Sequence, residues 1–317
     1  MLKNMILSIN PTYYCNFKCH FCYLTSEQLN DRKLLDLELL ENRIIEVLNN
    51  DIIDHVDLYG GEIGLLSEDY ILNLKKLLHK YNIKSINVNT NLSMVNSIIS
   101  DPDFYISVSY DFNVREQHER VWNNMIKLNR PFSILILASD KIINHNVDDM
   151  IFQLNLLSNL QSVEIKPYSE NQANCLPVSF KDYGEFVKKW ITSAIPKNFE
   201  FINEYLLKDV LEKKRNSFSD DHLYITPEGK FAVLEFDLND REYFLDCETY
   251  NDYLNWCKKE KIRVSKNTFC SKCEYFGNCL SEHLREVKNL DNGCNGFKHL
   301  IDWYKYERLE NSTRNLS

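Results

Sequence analysis

Residues 5–22, MILSINPTYYCNFKCHFC, place an apolar run directly ahead of three cysteines at positions 15, 19 and 22. The run MILSINP (5–11) reads as a strand, so the Cys15-x3-Cys19-x2-Cys22 spacing opens the loop that follows it. Working outward, the alternation continues. LLDLELLENRIIEVLNN (34–50) has the 3.6-residue apolar period of a helix, HVDLYG (55–60) reads as a second strand, and a helix follows around 68–80. KSINVNTN (84–91), FYISVSYD (104–111), FSILILAS (132–139) and SVEIKPYS (162–169) complete six strands, with helical segments at about 115–128 and 147–158. Parallel neighbours need a helical crossover between them. Six such units in a row predict an α/β fold whose parallel sheet curls into a full or partial barrel, and the expectation is a partial (β/α)6 TIM-like barrel over residues 1–175.

After about residue 170 the rhythm changes. Connecting helices near 180–193 and 203–215 fill a segment from 176 to 220. A third segment, 221–317, opens with LYITPEGKFAVLEF (223–236), a hairpin turning at Pro227-Glu228-Gly229, and ends in a helix over 297–310.

The 317 residues carry 46 acidic and 37 basic side chains, a net charge of -9, with 44% hydrophobic and 26% charged residues. An acidic surface without a Lys/Arg block disfavours nucleic acid as a partner. The amino-terminal apolar run is too short for a secretion signal and no stretch has the length of a membrane span, so the expectation is a cytoplasmic protein. Ten cysteines in a reducing compartment point to metal rather than disulfides where they cluster. Three fall at 15–22 and four at 270–294, while Cys175, Cys247 and Cys257 are scattered. Cys247 and Cys257 are expected to be buried thiols.

Thiolates suit iron–sulfur clusters and zinc alike. Three closely spaced cysteines can hold three irons of a cubane and leave the fourth open for chemistry. The competing reading is a structural zinc site, completed by His20 or a distant ligand, in a non-catalytic interaction protein. Zinc sites usually arrive as paired C-x2-C or with separated histidines, which this uneven triple fits poorly.

The spacing, its position after strand one and the aromatic Phe21 before the third cysteine resemble the radical S-adenosylmethionine (SAM) superfamily. The resemblance implies a [4Fe–4S] cluster on Cys15, Cys19 and Cys22, with SAM chelating the open iron and Phe21 against its adenine. It also makes His20 a loop residue rather than a ligand. Tyr59-Gly60-Gly61-Glu62 is similar to the family's G-G-E motif at the SAM amino group, with Ile63 in place of the usual proline. Thr90-Asn91 is similar to its T-N pair, and Ser107-x-Ser109-x-Asp111 to its S-x-D. Gly60, Gly61, Glu62, Asn91 and Ser109 are therefore expected at SAM. Arg115, Arg120 and Arg130 are candidates for its carboxylate, and Arg120 is the one expected there. Strand alternation puts Ser107, Ser109 and Asp111 on one face, where a polar stripe in a barrel interior favours a ligand. Asp111 and Lys166, the latter sharing a face with Glu164, are the candidates for acid–base work on substrate. Tyr110 points away and packs.

Cys270-x2-Cys273-x5-Cys279-x14-Cys294 resembles part of the SPASM/twitch extension found in peptide- and sugar-modifying members of that superfamily. Four thiolates satisfy either a cubane or a zinc ion; the resemblance implies a second, auxiliary [4Fe–4S] cluster. The places that would ligate a further cluster hold Leu234 and His283, and KKRNSFS (213–219) lacks a cysteine, so one auxiliary cluster is expected. The implied activity is reductive SAM cleavage to a 5′-deoxyadenosyl radical and oxidative modification of a substrate. A ribosomally made peptide is the leading substrate and a small aminoglycoside-type sugar the alternative. The implied partners are that substrate and an electron donor such as flavodoxin or ferredoxin. The first strand begins by residue 5, which leaves no room ahead of it for a leader-binding domain and suggests a separate leader-peptide-binding protein. Tyr168, Tyr183, Trp190 and Tyr205 are candidates for a peptide groove.

Overall fold

The computed structural model describes residues 2–167, 178–218, 220–234, 244–280, 294 and 297–310. Tyr168, Cys175 and His283 lie outside the described residues. In chain order the elements are β1 (Asn4–Ile9), α1 (Leu37–Leu48), β2 (Ile52–Leu58), α2 (Glu68–Lys80), β3 (Ile86–Thr90), α3 (Ser97–Ser100) and β4 (Tyr105–Ser109). They continue with α4 (His118–Lys127), β5 (Phe132–Leu137), α5 (Val147–Leu154), β6 (Leu160–Lys166), α6 (Phe180–Thr192), β7 (Glu200–Phe201) and α7 (Ile202–Leu211). Then come β8 (His222–Ile225), β9 (Phe231–Leu234), β10 (Phe244–Cys247), α8 (Tyr250–Ser265) and α9 (Lys298–Trp303), which runs on as a π-helical stretch, Tyr304–Glu310.

One sheet of ten strands, in the order β10-β9-β8-β1-β2-β3-β4-β5-β6-β7, organises these elements. Strands β1 to β6 pair in parallel, as the six-unit reading expects, and form the partial barrel. The hairpin β8–β9 turns where expected, with Gly229 at φ +74. A Cβ there would lie 2.1 Å from the Leu39 side chain, so packing as well as the turn requires glycine. The sequence placed β8 in the third segment, yet β8 pairs in parallel with β1, so the sheet runs across the expected division at 221.

Burial differs between the two faces of the strands. Met5, Leu7, Val56, Val88, Val108, Ile134 and Val163 are each 0% exposed and pack under the helices. The alternate residues face inward and are largely polar, with Leu135 and Leu137 of β5 among them. Ser8 bonds His222 across β1 and β8 (2.7 Å), Asn87 bonds both Asp57 (2.9 Å) and Ser107 (3.0 Å), and Ser133 bonds Ser162 (2.7 Å). A closed TIM barrel fills its interior with branched apolar side chains. Here the inner row is half-buried at Asp57, Asn87, Asn89, Ser109, Ser133, Ser162 and Glu164, so the partial barrel encloses a polar chamber open to solvent.

The sixteen-residue helix α8 is absent from the sequence reading. Its apolar periodicity is weak, but Thr249 and Asp252 form a reciprocal capping box that marks its start. Cys247 and Cys257 are buried, as expected of packing thiols. No helix among the described residues is long and apolar enough to cross a membrane.

Candidate functional site

The cysteine loop leaves the carboxyl end of β1 and is fastened to the loop after β2. Gly61 N–H donates to the Thr12 carbonyl and Glu62 N–H to the Tyr14 carbonyl, each at 2.9 Å. A Cβ on Gly61 would sit 2.1 Å from the Tyr14 oxygen, and one on Gly60, at φ +135, would sit 2.6 Å from the Thr12 oxygen. The two glycines are therefore required by the close approach of two backbones. Cys15, Cys19 and Cys22 are free thiols, each half-buried. Phe17 N–H donates to the Cys15 sulfur and Leu24 N–H to the Cys22 sulfur, both at 3.4 Å. Burial pushes Cys15 up to about 12 and Cys22 up to about 11. Burial also raises Cys19, against the lowering charge of Arg115.

Glu62 is fully buried, which raises its pKa against the hydrogen bonds it accepts. One carboxylate oxygen takes the Thr90 hydroxyl (2.5 Å) and Gly64 N–H (2.8 Å), and the other takes Asn91 N–H (2.6 Å). These three bonds tie the ends of β2 and β3 together through Glu62. Asn91 donates its amide to the Cys15 sulfur (3.7 Å) and to Asn16 (3.1 Å).

Asp111 is 0% exposed. It accepts from Leu137 N–H (2.6 Å) and from Arg115 Nε (2.8 Å), with Arg115 Nη2 at 2.5 Å. Its assignment as a catalytic acid or base is corrected accordingly: both oxygens are occupied and the side chain is fully buried. What it does is hold Arg115, whose Nη1 lies 3.7 Å from the Cys19 sulfur and whose guanidinium stands 5.2 Å from the centre of the Phe21 ring. Burial would lower the Arg115 pKa, but the Asp111 charge holds it above its usual value. Arg120 is also corrected. It is exposed on α4 and donates to Gln117 (3.3 Å), while Arg130 donates to the Ile99 carbonyl (3.0 Å). The arginine at the thiols is Arg115.

Phe21 is buried with Val178, against Cys19, Val114, Leu137 and Ile143. Ser109 is half-buried and in register with Leu135, which is itself in register with Glu164. Lys166, at the top of β6, pairs with Glu164 at 2.7 Å. Tyr110 packs against Phe112 and Trp122, as expected of an outward residue. Tyr183 donates to the Ile165 carbonyl and is buried with Trp190, whereas Tyr205 is exposed. The first two are thus core rather than groove.

In the second cysteine set, Asn267 precedes a short helical turn (Cys270–Lys272) and its side chain accepts from Phe269 and Cys270 N–H, each at 2.9 Å. Burial raises the pKa values of Cys270, to about 11, and of Cys273, and the neighbouring Cys294 raises both further, as Cys273 does that of Cys270. Cys279, Phe218 and Phe276 pack against a small core formed by Val264 and Cys270. Its carbonyl accepts from Arg215 (3.4 Å).

Among the described residues no group of three or more His, Cys, Asp or Glu side chains is placed to share a single metal ion. A tetrahedral zinc draws its ligands to about 2.0–2.3 Å from one centre. A cubane seats each thiolate on a different iron and so holds them farther apart. The donor chemistry of both sets fits a cluster.

Residues 9–111 match the Radical SAM superfamily. Such domains use a [4Fe–4S] cluster and SAM. No curated protein matches the chain. Among solved structures, native anSMEcpe with bound AdoMet and Cp18Cys peptide is similar over 99% of this chain and 100% of its own, with TM-score 0.68 and 18% identity. The same protein with bound AdoMet and Kp18Cys peptide covers the same shares with TM-score 0.69 and 19% identity. Streptococcus suis SuiB bound to precursor peptide SuiA is similar over 96% of this chain and 73% of its own, with TM-score 0.62 and 16% identity. At these identities the likeness is one of fold.

Proposed function

We propose that this chain, which carries a radical SAM domain over residues 9–111, oxidatively modifies a ribosomally made peptide held in the polar chamber. The observation that carries the reading is the placement of three free thiols at the carboxyl end of β1, above an inner barrel wall that is polar and reaches solvent. Two similar folds, anSMEcpe with its Cp18Cys peptide and SuiB with SuiA, hold peptides, which supports a peptide over a sugar.

Cys15, Cys19 and Cys22 would hold the cluster, and Asn91 and Arg115, donating toward two of those sulfurs, would tune it. When bound, the cluster supplies the electron that splits SAM into methionine and a 5′-deoxyadenosyl radical, the hydrogen abstractor. Gly60 and Gly61 let the loop backbone approach the SAM amino group, and Glu62 fixes that loop from behind. Arg115 is the group to receive the SAM carboxylate, because Asp111 locks it in place with further donors to offer. Phe21 walls the adenine side and Ser109 offers a hydroxyl to the ribose side. Lys166 and Glu164 stand at the chamber rim, where they can move or hold a proton on substrate. Cys270, Cys273, Cys279 and Cys294 would hold an auxiliary [4Fe–4S] cluster; four thiolates leave no open iron, which suits it to electron transfer.

Anaerobically reconstituted protein, reduced with dithionite, should form 5′-deoxyadenosine from SAM, and Cys19→Ala should form none. Continued formation by Cys19→Ala would end the assignment. A candidate precursor peptide should raise consumption and lose hydrogen atoms as product appears.

A further inference from the structure

Asp57 faces the chamber from β2, in register with Ser8 and, counting along the strand, three residues below Gly60. At a rise of about 3.3 Å per residue, that places it roughly 10 Å beneath the glycine loop. Its carboxylate is 25% exposed. Oxygen Oδ1 takes both protein contacts, from the Asn87 amide (2.9 Å) and His55 Nε2 (3.4 Å). Among the described residues, Oδ2 receives no protein donor, and the ion-pair partner of the carboxylate is His55 rather than a lysine or arginine.

The other chamber carboxylate, Glu164, already has its cation in Lys166. Among the described residues, the cationic partners of Asp57 are imidazoles. His55 is oriented by Ser85 (2.7 Å), and His222, which also acts on the Asp57 charge, is held by Ser8 and stacked on Tyr224. Neither ring is a permanent cation. Burial pushes the Asp57 pKa up, but the His55 contact and the Asn87 amide hold it below the usual carboxylate range. A charged group sunk in a partly desolvated wall calls for a full counter-charge, and the Asp57 side chain remains partly exposed to receive one.

We infer that Asp57 determines substrate specificity by binding a primary ammonium or guanidinium on a side chain of the peptide. The inference rests on the peptide reading above. It makes a lysine or arginine, at or next to the modified residue, part of the recognition element, reaching down the chamber while the reacting atom stays near the thiol loop.

The test uses Nα-acetyl-lysine N-methylamide and Nα-acetyl-norleucine N-methylamide, which differ in the ammonium, and 2-deoxystreptamine as a sugar-type probe. Calorimetric binding to the reconstituted, SAM-loaded protein is expected to favour lysine over norleucine by at least about tenfold. Asp57→Asn should erase that ratio. Asp57→Thr, whose hydroxyl still accepts from Asn87, serves if the asparagine variant fails to fold. Equal affinities for the two peptides, or a ratio that survives substitution, overturn the role of Asp57 and leave the peptide reading standing. Binding of 2-deoxystreptamine alone overturns the peptide reading itself, and binding of no probe overturns both.

Discussion

Arg115 reaches the Cys19 sulfur from a fixed direction because Asp111 holds its guanidinium and is itself pinned by Leu137 N–H. Removing one partner from such a buried pair leaves an uncompensated charge and costs about 3–5 kcal/mol. Asp111→Ala is therefore expected to destabilise the fold by that amount in chemical denaturation, and to weaken SAM binding through the released Arg115. Arg115→Lys keeps the charge but loses the planar fork. Its expected signature is about a tenfold loss of SAM affinity with little change in unfolding, measured by SAM titration of the reconstituted protein. An unchanged affinity would remove Arg115 from the site. Gly61→Ala should prevent the cysteine loop from docking, because the added carbon meets the Tyr14 carbonyl; incomplete cluster incorporation would report it.

At the level of elements, alternation and helical period locate all six barrel strands and the helices between them except the one-turn α3, which is too short to show a period. The G-G-E, T-N and S-x-D places came from resemblance, and the structure puts them at adjoining strand ends. What the residues could not disclose was which arginine turns inward. Arg115 and Arg120 lie on the same connection, and the choice is made by backbone. Phe112 and Gln117 adopt φ 50, a left-handed conformation uncommon for such residues, and reorient the chain around Arg115. The parallel pairing of β8 with β1 was also hidden, because register between distant strands leaves no local mark. Helix α8 left one, its capping box. Thr249→Ala should cost about 1 kcal/mol in thermal or denaturant unfolding and leave SAM cleavage unaffected.

For the molecule as a whole, the buried thiols couple metal loading to pH. Cys15 and Cys22, raised by burial to about 12 and about 11, bind their protons more tightly folded than unfolded. That contribution to stability is complete below the ordinary thiol pKa near 9 and is lost as pH rises through the raised values. Iron-free protein is therefore expected to unfold at lower denaturant at pH 10 than at pH 8; the opposite trend would contradict the burial argument. Iron must displace those protons, so cluster assembly should strengthen with rising pH. Two cubanes correspond to about eight irons and eight sulfides per chain, and Cys273→Ala should halve that count while the first centre remains.

SAM cleavage requires that the centre at Cys15, Cys19 and Cys22 keep one iron open for SAM. Electron paramagnetic resonance of the dithionite-reduced protein, recorded with and without SAM, addresses this directly. The spectrum of Cys273→Ala, with the auxiliary centre removed, should change in g-values when SAM is added. A spectrum indifferent to saturating SAM would contradict the account.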